Sequence, residues 1–394
     1  MYRRQSIGQK TEQSLTAMAA LALAFLVAPA AALAQNAYIT NQSDSTVSVI
    51  NTATNAVITT IPVGDNPSGV AVTPDGAKVY IANSDSVSVI SATTNTVIAT
   101  IPVHGFGIPR GIADTPDGRK VYVANLSDNT VSVISTANDE VIGSPIPVGV
   151  EPSGVAVTPD GSKVYVANIL DTIVSVISTA TDHVESSING FDKSEGVAVT
   201  PDGSKVYVSN HGENTVSVIS TATDTVIASI AVGLFPEGVA VAPDGSKVYV
   251  ANSSDGSGSV SVINTATNAV ITTVPLDCSP FTCAPRGLAV TPDGSKVYVA
   301  DYNGPVSAVS VINTATNTLM GSPIPVGANP IAFGLFIQPV AAKTFAGIPG
   351  KVNCYGKSVS ALVRQYGGLD AAASALGYSS VSKLKQAIKN FCKG

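Results

Sequence analysis

A chain of 394 residues is long enough for one large domain or two ordinary ones. With 45% hydrophobic and only 12% charged residues, it is not a disordered polymer. The net charge of −6 divides unevenly: residues 1–34 carry +2, eight Lys/Arg oppose one acid (Asp370) from Val340 onward, and the middle is left at −15, which argues against nucleic-acid binding there.

Residues 1–34 read as a secretory signal peptide. Arg3, Arg4 and Lys10 give a basic start, and an apolar run extends from Ala17 to Val27. Ala32-Leu33-Ala34 then places small residues at the −3 and −1 positions of a cleavage site before Gln35. The apolar run is short for a membrane span of roughly 20 residues. No later stretch is long enough to cross a bilayer. The expectation is export to the periplasm or cell surface, where the four cysteines can oxidise.

From residue 35 to residue 339 the chain is periodic. A Tyr-Val-Ala-Asn-like tetrad begins at Tyr38, Tyr80, Tyr122, Tyr165, Tyr207, Tyr249 and Tyr298, at spacings of 42, 42, 43, 42, 42 and 49. Pro-Asp-Gly turns precede six of the tetrads, with their acids at Asp75, Asp117, Asp160, Asp202, Asp244 and Asp293. Each repeat reads as four strands. In the second, these are Gly69-Val70-Ala71-Val72, then Lys78 to Ala82, Ser86 to Ile90 and Val97 to Ile101. In the Pro-Asp-Gly turn, proline presets φ and glycine tolerates a positive φ.

Four short antiparallel strands per repeat predict an all-β fold, a seven-bladed β-propeller. The small side chains of the Gly-Val-Ala-Val strand suit the crowded hub. The last strand often carries proline, as at Pro62, Pro102, Pro147 and Pro275, and suits an exposed edge because proline lacks a ladder donor. The array begins within a repeat, at the Tyr38 tetrad, and ends with Asn329-Pro330-Ile331-Ala332-Phe333-Gly334-Leu335, which is similar to the missing inner strand. A 3+1 closure is predicted: three strands from the start of the array and one from its end share the first blade.

The tetrads, with Tyr38-Ile39-Thr40-Asn41 nearest to the namesake motif, and their Pro-Asp-Gly turns resemble the YVTN family of β-propeller repeat proteins. The resemblance covers about Ala37 to Pro339. It implies an exported seven-bladed propeller, in a family mostly described as binding or surface-layer-like. Related propellers include lactonase-like and lyase enzymes, so the fold alone does not decide function.

Positions that break the repeat are where a site can be grafted. Before the inner-strand glycine, or Ala332 in the last copy, stand in turn Ser68, Arg110, Ser153, Glu195, Glu237, Arg286 and Ile331. These four charges are expected at the channel mouth as a ligand-binding set, arginines for an anion and glutamates for a cation or hydroxyls. His211 interrupts the loop after Asn210 and makes Glu195, Glu237 and His211 the candidate catalytic residues. His104 and His183 lie elsewhere, so no metal site is predicted. Cys278 and Cys283 fit a small disulfide loop beside Arg286. No haem-attachment, Walker, nucleophile-elbow or zinc-protease motif occurs, and no cofactor is expected.

Residues 340–352 read as a linker, and 353–394 as a small helical domain with helices over Ser358–Tyr366, Leu369–Leu376 and Ser380–Phe391. A Cys354–Cys392 disulfide would staple this bundle. Lys383, Lys385, Lys389 and Lys393 crowd the last helix and suit an anionic envelope surface. The sequence points first to a monomeric, non-catalytic binding or scaffold protein of the cell envelope, taking a protein, glycan or small ligand. A lactonase- or lyase-like enzyme acting at the channel mouth is the alternative.

Overall fold

Each repeat folds into one antiparallel sheet whose strand order follows the chain. The computed structural model describes residues 35–103, 109–254, 258–277, 283–302, 307–339, 369 and 381–393. The first blade contains β1 (Asn36–Asn41), β2 (Thr46–Asn51) and β3 (Ala56–Pro62). The second contains β4 (Val70–Val72), β5 (Lys78–Ala82), β6 (Ser86–Ser91) and β7 (Thr96–Pro102), hydrogen-bonded in that order. Five further sheets repeat this pattern; in the last, the outer strand breaks into Thr318–Leu319 and Ile324–Pro325 on either side of Gly321. The seven-bladed, four-stranded architecture predicted from the repeat is therefore present, with the proline-bearing strand outermost.

Closure uses both ends of the array. The segment from Ala328 to Gln338 runs antiparallel to β1, with Tyr38 N–H donating to the Phe336 carbonyl (2.8 Å) and Ile331 N–H to that of Thr40 (3.1 Å). It pairs through isolated bridges rather than as a regular strand. On its other side Phe333 pairs in parallel with the second blade: Val70 N–H donates to the Phe333 carbonyl (2.7 Å) and Phe333 N–H to that of Ser68 (3.2 Å). The predicted 3+1 arrangement thus joins blade one and also bonds it to blade two.

The cores lie between blades. One cluster combines Tyr122, Ala124, Val131 and Val133 of the third blade with Val155, Val164, Val166 and Ile177 of the fourth. Sheets buried on both faces explain apolar runs such as Val121-Tyr122-Val123-Ala124. At the hub the blades approach so closely that a side chain would collide. A Cβ on Gly69 would strike the carbonyl oxygen of Arg110, one on Gly154 that of Glu195, and one on Gly238 that of Arg286. The residue before each inner-strand glycine is thereby held against the preceding blade.

A second device ties each blade to the next. In the second strand, Lys120 Nζ and Tyr122 Oη both donate to the carboxylate of Asp182, at 2.8 and 2.6 Å. Lys163 and Tyr165 meet Asp224 in the same way, each at 2.6 Å. At the ring closure Lys296 and Tyr298 reach Asn55, at 3.0 and 2.5 Å. The acceptors sit in the turn before the outer strand with φ between 49° and 56°, a left-handed conformation that Asn and Asp tolerate. Burial and the neighbouring carboxylate push the Tyr122 hydroxyl well above its usual pKa, so it remains a donor.

Beyond the propeller, helix α1 (Val381–Lys393) corresponds to the third predicted tail helix, and its Leu384 and Ile388 are buried. The first predicted tail helix, nearly all of the second, and Cys354 lie outside the described residues, as does residue 1–34. No helix among the described residues is long and apolar enough to cross a membrane.

The Tyr249 hydroxyl is buried without a hydrogen-bond partner among the described residues, unlike that of Tyr122. Tyr122→Phe is expected to lower stability by about 1–2 kcal/mol, whereas Tyr249→Phe changes it by less than about 0.5 kcal/mol or raises it. Urea unfolding midpoints of the two variants measure the difference.

Candidate functional site

The loops entering the inner strands and those joining second to third strands share one face. Their backbones bond to each other: Ile169 N–H to the Glu151 carbonyl (2.9 Å), His211 N–H to that of Lys193 (3.1 Å) and Ser253 N–H to that of Phe235 (3.0 Å). At the centre of this face the structure brings the four charged residues together as two ion pairs. Arg110 Nη2 lies 2.7 Å from Glu195 Oε2 and Arg286 Nη1 lies 3.2 Å from Glu237 Oε2. The first pair links the third blade to the fifth, and Ser153 of the intervening blade places its hydroxyl 3.5 Å from the same Glu195 oxygen. The guanidinium of Arg110 stacks over Phe333 at 5.2 Å and that of Arg286 over Tyr302 at 4.5 Å.

Neither acid is solvated: Glu195 is 8% exposed and Glu237 2%. Burial pushes the Glu237 carboxyl up to about 7; Arg286 and a hydrogen bond from Ser253 oppose the rise, and the nearby charge of Glu195 adds to it. His211 stacks on Phe235, with ring centroids 5.0 Å apart and an interplanar angle of 25°. Burial holds its pKa below the usual 6.5 against the pull of Glu195, and the charges of Lys193, Arg286 and Arg110 add to the depression. The imidazole is therefore neutral at physiological pH. Among the described residues no hydrogen bond joins it to Glu195 or Glu237, and no three His, Cys, Asp or Glu side chains could hold a metal ion.

Exposed apolar side chains flank the ion pairs on the same face: Val150 and Leu170 on adjoining loops, and Leu234 and Phe235 beside His211. Cys283 is buried and disulfide-bonded. Cys278, His104 and the side chain of Cys392 lie outside the described residues. His183 stands at an outer turn, its Nδ1 2.6 Å from the Thr181 carbonyl oxygen.

Behind the ion pairs the inner strands enclose a cavity of about 500 Å³. Its walls are valines, alanines and leucines, and Phe333 separates it from Arg110. Its other end is ringed by turn prolines, among them Pro74, Pro116, Pro159 and Pro292, and by the exposed Leu335. Among the described residues that line it, one is charged, Asp114. The strand registers place Asp114 opposite Val121, where the other blades have Val72, Val157, Val199, Val241 and Val290 at the equivalent position. Reading only the position before the glycine overlooks it. The signal was present in Gly111-Ile112-Ala113-Asp114, an acid where five other copies have valine.

The raised pKa of Glu237 has a definite sign for stability. The unfolded chain releases this proton near 4.5 and the folded chain near 7, so between these values the folded state binds more protons and stability falls as pH rises. Wild type is expected to lose up to roughly 3 kcal/mol relative to Glu237→Gln between pH 4.5 and 7, and no more above it. Urea unfolding of both proteins across that range checks this.

Comparison with known proteins agrees with a propeller. A family model described as "Lactonase, 7-bladed beta-propeller" matches residues 155–275. None of the curated proteins matches the chain. Among solved structures, hydrazine synthase from Kuenenia stuttgartiensis aligns with a TM-score of 0.60 at 24% identity, over 67% of this chain and 87% of that one. A functionally unknown protein from Desulfotomaculum acetoxidans aligns with a TM-score of 0.63 at 17% identity, over 76% and 99%. The dihydro-heme d1 dehydrogenase NirN aligns with a TM-score of 0.55 at 14% identity, over 75% and 74%. At these identities the likeness is one of fold.

Proposed function

We propose that this propeller is a non-catalytic binding or scaffold protein of the cell envelope, of the YVTN-repeat kind, whose charged loop face receives a protein, glycan or small ligand. The observation that carries the reading is the pairing of the candidate acids. Glu195 and Glu237 are each held by an arginine, and His211 is stacked on Phe235 rather than bonded to either. General acid–base catalysis needs groups that converge on the reacting atom within hydrogen-bond reach. A binding face is served by what is present: two partly exposed guanidinium groups on aromatic rings, with exposed Leu170, Leu234 and Phe235 on loops of the same face. The signal-like start of the sequence and the disulfide-bonded Cys283 support an exported location.

A lactonase-like reading has one observation in its favour: the matched span, 155–275, contains Glu195, His211 and Glu237. Purified protein, assayed on aliphatic and sugar lactones with and without added Ca²⁺ or Zn²⁺, is expected to hydrolyse them no faster than buffer. Hydrolysis that drops tenfold or more in Glu195→Gln or Glu237→Gln would replace the binding reading with the enzymatic one.

For the lysine-rich tail, we propose attachment to an anionic envelope surface. Lys383, Lys385 and Lys389 lie on α1, and Lys383 and Lys385 are exposed. The full chain should co-sediment with anionic vesicles at low salt and be released at high salt. Absence of binding at low salt removes the tether.

A further inference from the structure

Asp114 is costly where it stands. It occupies the end of an inner strand, at a position filled by valine in five other blades, and its accessible part opens into an otherwise apolar cavity. Protein atoms surround it closely enough that burial pushes its carboxyl up to about 7, with Asp75, the other acid acting on it, adding to the rise. No cationic side chain lines the cavity, and no salt bridge reaches Asp114 among the described residues. An unpaired carboxylate in apolar surroundings is unfavourable until an opposite charge joins it.

The cavity itself has the character of a binding pocket. At about 500 Å³ it falls within the range of small-ligand sites. Phe333, with Arg110 stacked on its ring, lies at the loop-face end, and Leu335, 67% exposed, lies at the proline-ringed end. Asp114 immediately precedes the Thr115-Pro116 turn and so stands near the proline-ringed end, while the part nearer the loop face is lined by Ile112, Val155 and Phe333. A hydrated divalent cation needs several oxygen donors, and this wall offers one carboxylate. A single ammonium group with an apolar body matches both features: the head pairs with Asp114 and the body lies along the apolar wall.

We propose that the apolar channel is a binding site for an amphiphilic amine, entering from the Pro-Asp-Gly face and anchored by Asp114. The inference goes beyond the reading of the charged loop face. The two sites lie at opposite ends of the channel, so either can fail without the other.

The test titrates the full-length protein with n-octylammonium, n-octanol and octanoate by isothermal calorimetry. It is run at pH 8, where Asp114 is ionised, in 0.3 M NaCl to screen surface acids. Wild type is expected to bind one octylammonium at least tenfold more tightly than octanol, with octanoate weakest. Asp114→Val should fold, because valine fills this position in the sister blades, and should lose the preference for the amine. Asp114→Asn, of nearly the same shape, should lose it as well and serves if the valine variant does not fold. The proposal is overturned if wild type binds octylammonium no more tightly than octanol or not at all. It is also overturned if the tenfold preference survives in either variant.

Discussion

At the hub, inner-strand glycines meet the carbonyl oxygens of the neighbouring blade, and much else in the structure follows from that contact. Gly69, Gly111, Gly154, Gly196, Gly238 and Gly287 each press their Cα against the chain of the next inner strand. No larger residue fits without separating the blades. Because the glycine is pinned, the residue before it is pinned too, and its side chain has little choice but to face the narrow centre. That is how residues as far apart in sequence as Arg110 and Glu195 come within 2.7 Å. The closing copy carries Ala332 instead of glycine, with φ of 48°; its N–H donates to the Thr40 hydroxyl, and the flanking Ile331 and Phe333 N–H groups donate to the carbonyls of Thr40 and Ser68.

Farther out, the Lys-x-Tyr pair and its Asp or Asn acceptor do for the rim what glycine does for the hub. The acceptor must adopt positive φ and also present an oxygen across the blade boundary, which restricts it to a short list of residues. Asp139, Asp182 and Asp224 form an ion pair with the lysine, whereas Asn55, Asn268 and Asn317 offer only a neutral acceptor. Interblade cohesion is therefore graded around the ring, although the repeat looks uniform.

The two ends of the channel are chemically unlike. The loop face concentrates paired charge and exposed aromatic and aliphatic groups, whereas the Pro-Asp-Gly face opens on an apolar cavity with a single acid. Both ends hold desolvated carboxyls, Glu237 and Asp114, with pKa values near 7. Among the described residues only Glu237 has an arginine to balance it. Compensated charge at one end and uncompensated charge at the other give the two ends separate roles.

Much of the fold was legible in the sequence. Tetrads every 42 or so residues, Pro-Asp-Gly turns and edge prolines are local signals, and a repeating local signal determines the blade, its strand order and the number of blades. The charges before the inner-strand glycines could also be placed at the mouth, because the hub position follows from side-chain size. What the sequence could not determine was which charges neutralise each other. Arg110 is matched with Glu195 two blades away, not with a sequence neighbour, and that choice depends on distances across a closed ring. His211 ended against Phe235 for the same reason. Asp114 is an anomaly in the sequence, but only the closed ring surrounds it with six apolar strands and leaves it without a cationic partner among the described residues. Ion pairing and desolvation depend on what lies across empty space from a residue, which tertiary structure alone decides.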